Sequence, residues 1–189
     1  MEQILEHFSR YIKLSDELTV EITKRIQIRS FKKGELVHDA EKVYNHSYFI
    51  QQGILRTYFY KEGKEVSEYF CSNGEWTNSP RSFMQRRLDH YYIDAIEDTL
   101  VFGIDIGNLG YLFDHFPEME RYARLSMGSV FGQILERIES MRFTTAKEKY
   151  EHFCSFYKAI YHRIPLGMVA SYLGITQETL SRVRAGKSF

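Results

Sequence analysis

The chain has 189 residues, of which 43% are hydrophobic and 26% are charged, and its formal net charge is zero. These fractions are ordinary for a soluble globular protein, and the length allows one large domain or two modest ones. The first 18 residues contain no uninterrupted apolar run, so we expect no signal peptide, no membrane partner and a cytoplasmic location. The two cysteines, Cys71 and Cys154, are too few for an iron–sulfur cluster and are expected to be reduced.

The N-terminal part of the chain predicts two short helices followed by a β-roll. Apolar residues recur at helical spacing up to about residue 25, and Ser15-Asp16-Glu17 is typical of the start of a second helix. From Ile26 the apolar period becomes two and aromatic residues become dense, which predicts short strands separated by glycine turns. The predicted strands are 26–31, 48–50, 54–60, 65–70, 90–96 and 100–104.

The predicted β-roll could also bind a small ligand or house a metalloenzyme. Its aromatic residues can line a pocket for an apolar or planar ligand, or they can form an ordinary core and sheet surface. A roll can also house a metalloenzyme, which needs three or four ligands in one cavity. The seven histidines include no HxH, HxxxH or HExxH pair. We therefore expect no metal site and no catalytic residue, so the protein is not expected to be an enzyme.

A long helix is predicted to begin at Pro117 and to run to residue 142. An apolar stripe follows its whole length, and Gly128 and Gly132, each costing about 1 kcal/mol in a helix interior, permit close approach of another backbone. The helix either packs only within its own subunit or pairs with a second copy, and we favour the second interpretation. The predicted dimer interface consists of Met127, Val130, Ile134, Ile138 and Met141.

After a further helix, from Thr144 to about Tyr161, residues 166–183 have the pattern of a helix-turn-helix. Ala170 is small enough for two helices to approach closely, and Gly174 suits a turn that needs positive φ. Thr176 is predicted to be the N-cap of the second helix. The residues expected to bury one face of each helix are Val169, Leu173, Ile175, Leu180 and Val183.

On this second helix, Glu178, Ser181 and Arg182 share one face because they lie at i, i+3 and i+4. Glutamate can accept a hydrogen bond from cytosine, arginine can bind guanine, and serine can serve either base. Residues 142–189 carry eight basic and three acidic side chains, which suits contact with phosphates. The alternative is a helical hairpin whose polar face is simply hydrated, but the combined pattern favours binding to double-stranded DNA.

The order of β-roll, long helix and helix-turn-helix resembles the Crp/Fnr family of bacterial transcription regulators over nearly the whole chain. The most specific part is residues 177–182, QETLSR, which is similar to the E-x-x-S-R recognition helix of the Fnr-like branch. The resemblance implies an α+β fold with a cyclic-nucleotide-binding-like roll at 1–116, a dimerisation helix at 117–142 and a DNA-binding domain at 143–189. It also implies a homodimer that binds an inverted repeat of TTGA-type half-sites and contacts RNA polymerase.

The resemblance implies which residues contact DNA. Family members usually have a β-hairpin wing after the recognition helix, but five residues follow Arg184 here, so we expect a truncated or absent wing. Arg184 and Lys187 are then expected to contact phosphates in its place. The complete set of expected DNA contacts is Thr176, Gln177, Glu178, Ser181, Arg182, Arg184 and Lys187.

The resemblance also bears on the effector. Cyclic-nucleotide-binding members have Gly-Glu followed by an Arg-Ser/Thr-Ala segment that holds the phosphate, and this chain has Gly74-Glu75-Trp76. The arginine position falls near Asp89, whose carboxylate would repel a phosphate, so we expect neither cyclic AMP nor another cofactor. The candidate effector pocket is Glu75, Trp76 and Arg81. One alternative is a cyclic-nucleotide-responsive regulator in which this phosphate-binding segment, the phosphate cassette, is rearranged. The other is a small-molecule-binding or catalytic roll with a vestigial helix-turn-helix.

Overall fold

The computed structural model describes residues 1–140, 142 and 145–186. The chain divides into two compact units. The first consists of Met1–Thr57 and Phe70–Ser129, and the second consists of Tyr58–Tyr69 and Val130–Phe189.

The first unit begins with the two predicted helices, α1 (Glu2–Ser9) and α2 (Asp16–Arg25). Ser15 is the N-cap of α2, and its hydroxyl accepts a hydrogen bond from the Leu18 backbone N–H at 3.1 Å. The hydroxyl therefore satisfies one of the backbone donors that every helix leaves free at its start.

The described residues form eight strands in two four-stranded sheets. Their bounds are β1 (Gln27–Phe31), β2 (Leu36–His38), β3 (His46–Gln52), β4 (Ile54–Lys61), β5 (Lys64–Ser72), β6 (Trp76–Thr77), β7 (Tyr92–Ala95) and β8 (Thr99–Asp105). The strand orders are β1-β8-β3-β6 and β2-β7-β4-β5. The six predicted strands are confirmed, whereas β2 and β6 were missed because they are too short to show a period of two.

The tight turn between β3 and β4 requires a glycine. Gly53 has φ +112°, and a Cβ there would lie 2.3 Å from Thr99 Oγ1 and 2.7 Å from the Thr99 Cα. A larger residue would therefore meet both backbone strain and a steric clash.

The first unit has two apolar cores, one on each face of the sheet that contains β3 and β8. Neighbouring residues along a strand point to opposite faces, so Tyr48 and Ile50 belong to one core and Phe49 to the other. The core between the sheets consists of Phe31, Tyr44, Tyr48, Ile50, Leu55, Phe83, Ile93, Ala95 and Val101. The outer core joins that sheet to α1, α2, α4 (Ile106–His115) and the start of α5 (Pro117–Ser140).

Two helices of the first unit were not predicted. The shorter, α3 (Pro80–Gln85), places Phe83 in the core between the sheets, and the other is α4. Asp105 caps α4 by accepting a hydrogen bond from the Asn108 N–H at 2.9 Å. The long helix predicted from residue 117 is confirmed as α5.

The second unit contains three further helices, α6 (Ala146–Phe156), α7 (Leu166–Leu173) and α8 (Gln177–Arg184). The predicted start at Thr144 lies outside the described residues, and Thr145 is the N-cap of α6 in a capping box with Glu148. The helix ends five residues before the predicted Tyr161. The prediction was too long because the buried residues that follow, Tyr157 and Ile160, continue an apolar spacing that also fits a helix.

Candidate nucleic-acid interface

The turn between α7 and α8 forms as the sequence predicts. Gly174 has φ +66° and ψ +33°, a left-handed conformation that favours glycine. The Ile175 N–H donates to the Ala170 carbonyl at 3.0 Å and so closes the end of α7.

The start of α8 is fixed by the predicted N-cap. The Thr176 hydroxyl accepts a hydrogen bond from the Thr179 backbone N–H at 3.1 Å. Thr176 itself has extended backbone angles, φ −75° and ψ 155°, as an N-cap residue requires. This cap sets the first turn of α8, where Gln177 and Glu178 lie.

The helices of the second unit pack through the predicted apolar faces. Val169, Leu173 and Leu180 are buried, whereas Ile175 and Val183 are half-buried. A Cβ at Gly167 would lie 2.5 Å from the side-chain nitrogen of Gln177. This approach of α7 to the start of α8 was not predicted, because nothing near Gly167 in the sequence indicates which side chain covers it.

The residues expected to read bases lie together on the exposed side of α8. Glu178, Ser181 and Arg182 are all exposed, with side-chain exposures of 73% for Glu178 and 50% for Arg182. Arg182 Nη2 donates to Glu178 Oε1 in an i,i+4 ion pair. An exposed pair of this kind contributes only about 0.3–0.5 kcal/mol to stability, so both side chains remain available to a ligand that offers better partners.

The other predicted DNA contacts flank this face. Thr176 and Gln177 are exposed at the start of α8, and Arg184 is exposed at its end. Arg184 interacts with Tyr150 of α6: burial and the neighbouring Cys154 raise the pKa of the Tyr150 phenol, and Arg184 opposes that shift. Lys187 lies outside the described residues, as does the rest of the chain beyond the turn at 185–186.

The part of α5 from Met127 onward carries an exposed apolar surface, which we call the α5 stripe. Large apolar side chains here are about half exposed although the same helix is buried nearer its start. Gly128 and Gly132 have open space where a Cβ would be built. The α5 stripe consists of Met127 (62% exposed), Val130 (52%), Phe131 (61%), Ile134 (47%), Leu135 (45%) and Ile138 (45%). Met141, also predicted for the interface, lies outside the described residues.

The three candidate effector residues each have their own surroundings. The Glu75 carboxylate accepts hydrogen bonds from the backbone N–H and the hydroxyl of Ser72, at 2.6 and 3.3 Å. Trp76 packs in the outer core against Phe8 and Phe49, with ring centroids 6.1 and 5.5 Å away. Arg81 is exposed in the first turn of α3. The contacts of the three side chains therefore differ: a turn for Glu75, the outer core for Trp76 and an exposed position for Arg81.

The aspartate near the expected phosphate position is engaged within its own loop. Asp89 accepts hydrogen bonds from the Ser79 hydroxyl and from the Tyr91 backbone N–H, the latter at 2.9 Å. Phe83, in the helix between Ser79 and Asp89, is 1% exposed and fills part of the space between the two sheets. Asp89 and Phe83 are therefore both engaged by neighbouring groups within the roll.

Within residues 1–140, 142 and 145–186, no three His, Cys, Asp or Glu side chains are grouped so that they could hold a metal ion. None of the helices described is both long and apolar enough to cross a membrane. Cys71 and Cys154 are free thiols.

No protein-family model and no curated protein matches the chain. Solved structures do match it. A protein described as a transcriptional regulator of the Crp/Fnr family from Eubacterium rectale has a TM-score of 0.71 at 19% identity, covering 92% of this chain and 83% of that one. A mutant of CooA from Carboxydothermus hydrogenoformans has a TM-score of 0.69 at 18% identity, covering 93% and 79%. The c-di-GMP responsive global regulator CLP of Xanthomonas campestris has a TM-score of 0.69 at 11% identity, covering 91% of each chain.

These matches extend over the roll, the long helix and the helix-turn-helix alike, because each covers more than nine tenths of this chain. The α+β architecture expected from the sequence is therefore confirmed. The chain has the fold of the Crp/Fnr transcription regulators.

Proposed function

We propose that the protein is a DNA-binding transcription regulator of the Crp/Fnr type that acts as a homodimer in the cytoplasm. The roll at 1–116 is its sensor domain, residues 117–142 form its dimer helix, and residues 143–189 form its DNA-binding domain. One observation carries the proposal: α8, capped by Thr176, presents Glu178, Ser181 and Arg182 together on its exposed side. Two free cysteines suit a reducing compartment.

The chemistry of this side of α8 supports reading of base edges in the major groove. Arg182 offers a bidentate donor for guanine O6 and N7, and Glu178 offers an acceptor for cytosine N4. Arg182 and Arg184 both lie in the last turn of α8, where a cation is favoured by the helix dipole. Thr176, Gln177, Arg184 and Lys187 would contact the flanking backbone and bases.

The α5 stripe supports the dimer. A helix face with six large apolar side chains near half exposure gains free energy when a second copy covers it. Two-fold pairing of this face presents two copies of α8 to an inverted repeat, whose half-sites lie about 34 Å apart or a multiple of that distance. The proposed interface is Met127, Val130, Ile134 and Ile138, together with Met141.

We further propose that cyclic AMP is not recognised through the usual phosphate cassette, and that the DNA-bound dimer contacts RNA polymerase. The cassette proposal is supported by the local hydrogen bonds of Glu75 and Asp89 and by Phe83 between the sheets. Calorimetry with cyclic AMP tests it. Micromolar binding would instead support a cyclic-nucleotide-responsive regulator with a rearranged cassette.

Binding to a palindrome of TTGA-type half-sites tests the central proposal. Arg182→Ala is expected to weaken binding by about 1–3 kcal/mol and to relax specificity at one base pair of each half-site. Gel shift of the wild-type protein and the variant on the palindrome, and on palindromes changed at single positions, measures both effects. Arg87→Ala, which removes an exposed arginine of the roll, is the matched control.

Two results would refute base reading by α8. One is a wild-type protein that does not bind the palindrome at low salt. The other is an Arg182→Ala protein that binds it as tightly and as specifically as the wild type.

A further inference from the structure

Ser171 of α7 bonds to the backbone of β5. Its hydroxyl accepts a hydrogen bond from the Ser67 N–H at 2.9 Å and donates one to the Glu65 carbonyl at 2.8 Å. β5 lies at the edge of its sheet, and an edge strand presents backbone groups that no neighbouring strand pairs. One side chain of the helix-turn-helix thus takes the place that a neighbouring strand would occupy. These residues all belong to the second unit.

A second contact lies beside the first. Arg137 of α5 pairs with Glu68 of β5 at 2.8 Å, and the two side chains are only 16% and 27% exposed. The Arg137 guanidinium also lies over the ring of Tyr172, with its carbon 5.3 Å from the ring centroid. Burial raises the pKa of Tyr172, and Arg137 opposes that shift. Removing one member of a half-buried pair leaves the other charge uncompensated.

The two contacts hold neighbouring residues of α7, and α8 is bound firmly to α7. The turn at Gly174 is closed by the hydrogen bond from Ile175 to Ala170, and Leu180 of α8 is fully buried. Whatever fixes α7 therefore fixes the direction of α8. Arg137 is also adjacent in sequence to Ile138, a member of the α5 stripe. The same helix thus carries the proposed dimer surface and one of the groups that hold α7.

We propose that Ser171, Arg137 and Glu68 are positioning residues for DNA recognition. They hold α7, and through it α8, at a fixed orientation to α5. This inference rests on the proposed function: a homodimer must present two recognition helices at a set separation, and a fixed orientation reduces the entropy lost on binding. None of the three residues lies on the base-reading side of α8.

The expected change in DNA affinity follows from the fraction of molecules in which α8 has the orientation needed for binding. Apparent affinity falls in proportion to that fraction, so a variant that keeps the orientation in about one fifth of its molecules binds about fivefold more weakly. A freely oriented α8 also accepts a wider range of half-site separations. Ser171→Ala should therefore weaken binding about fivefold on the preferred palindrome and reduce discrimination against palindromes with one base pair more or less in the spacer.

Fluorescence anisotropy with these three palindromes, using the full-length chain, tests the inference. Ser171→Thr keeps the hydroxyl and is expected to restore both affinity and spacer preference. Glu68→Arg and Arg137→Glu should each act like Ser171→Ala, and the double variant that exchanges the two charges should recover part of the loss. Amide hydrogen exchange in α7 and in residues 64–69 should rise in the weakened variants and return in the rescued ones.

The outcomes separate this inference from the proposed function. If the wild-type protein binds none of the palindromes, the proposed function fails. If the wild type binds and Ser171→Ala matches it in affinity and spacer preference, the positioning inference fails. Weaker binding with unchanged spacer preference also overturns it, because that indicates a loss of folded protein only. Tighter binding by Ser171→Ala overturns it as well, because the contact would then restrain DNA binding.

Discussion

The start of α5 and the part from Met127 onward have similar apolar spacing and opposite surroundings. Met119 and Tyr122, near the start, are buried in the outer core with Phe8 and Phe49. Met127 and Phe131, further along the helix, are 62% and 61% exposed. One helix therefore serves as a wall of the first unit and as an uncovered apolar face. A periodic apolar stripe thus identifies a helix face without identifying what covers it.

The largest expected effect is on the free energy of unfolding, and it differs between the two methionines of α5. Met119→Ala removes a fully buried side chain and is expected to lower the free energy of unfolding by about 2–5 kcal/mol. Met127→Ala, the matched control, should change it by less than about 0.5 kcal/mol. Urea unfolding followed by circular dichroism, at protein concentrations low enough to keep the chain monomeric, measures both. Equal losses in the two variants would contradict the distinction between the buried start of α5 and its exposed continuation.

A charge in the α5 stripe should act on assembly. Ile134→Asp is expected to weaken self-association by about 3 kcal/mol, because each dimer loses two buried isoleucine side chains. Sedimentation equilibrium of the wild type and the variant measures this change. Val20→Asp on α2, where the replaced side chain is 61% exposed outside the stripe, should leave the association unchanged. A wild-type protein that stays monomeric while bound to DNA would refute the proposed role of the stripe.

The smallest expected effect concerns the buried start of α5 and the dependence of folding stability on pH. His7 of α1 hydrogen bonds to the Tyr122 hydroxyl at 3.0 Å, and burial, assisted by Arg10, lowers the pKa of His7 from its usual 6.5. Below pH 6.5 the unfolded chain binds a proton that the folded chain disfavours, so stability falls as the pH is lowered through this range.

His7→Gln should reduce this pH slope without abolishing it. His38 and His46 keep part of the slope, because burial lowers their pKa values too. Urea unfolding of the wild type and the variant between about pH 7 and 5 measures the difference, in the range where an unperturbed histidine titrates. An identical slope in the two proteins would show that His7 is not among the groups responsible.

Features that depend only on residues close together in the sequence, such as helix caps and turns, were predictable. Ser15 and Thr176 cap helices through backbone groups three residues away, and Gly174 supplies a conformation that its own turn demands. The alternation of apolar and polar residues along the longer strands was equally predictable, because successive side chains of a strand point to opposite faces. The shared face of Glu178, Ser181 and Arg182 was predictable in the same way, since a helix places i, i+3 and i+4 on one side whatever surrounds it.

Features that depend on the path of a loop or on distant partners were not predictable. Glu75, Trp76 and Arg81 are close in sequence, but a two-residue strand and the start of α3 direct them to different surroundings. Ser171 meets partners that are 104 and 106 residues away in the chain. A serine on a half-buried helix face carries no local signal of such a contact.

The hydrogen bonds between Ser171 and β5 also bear on the tendency of the protein to aggregate. An uncovered strand edge invites another chain to add to the sheet, which is how many folded proteins begin to aggregate. The hydroxyl that bonds to Ser67 and Glu65 occupies part of that edge from within the same molecule. Ser171 of α7 thereby also limits the addition of a strand from another chain to this edge.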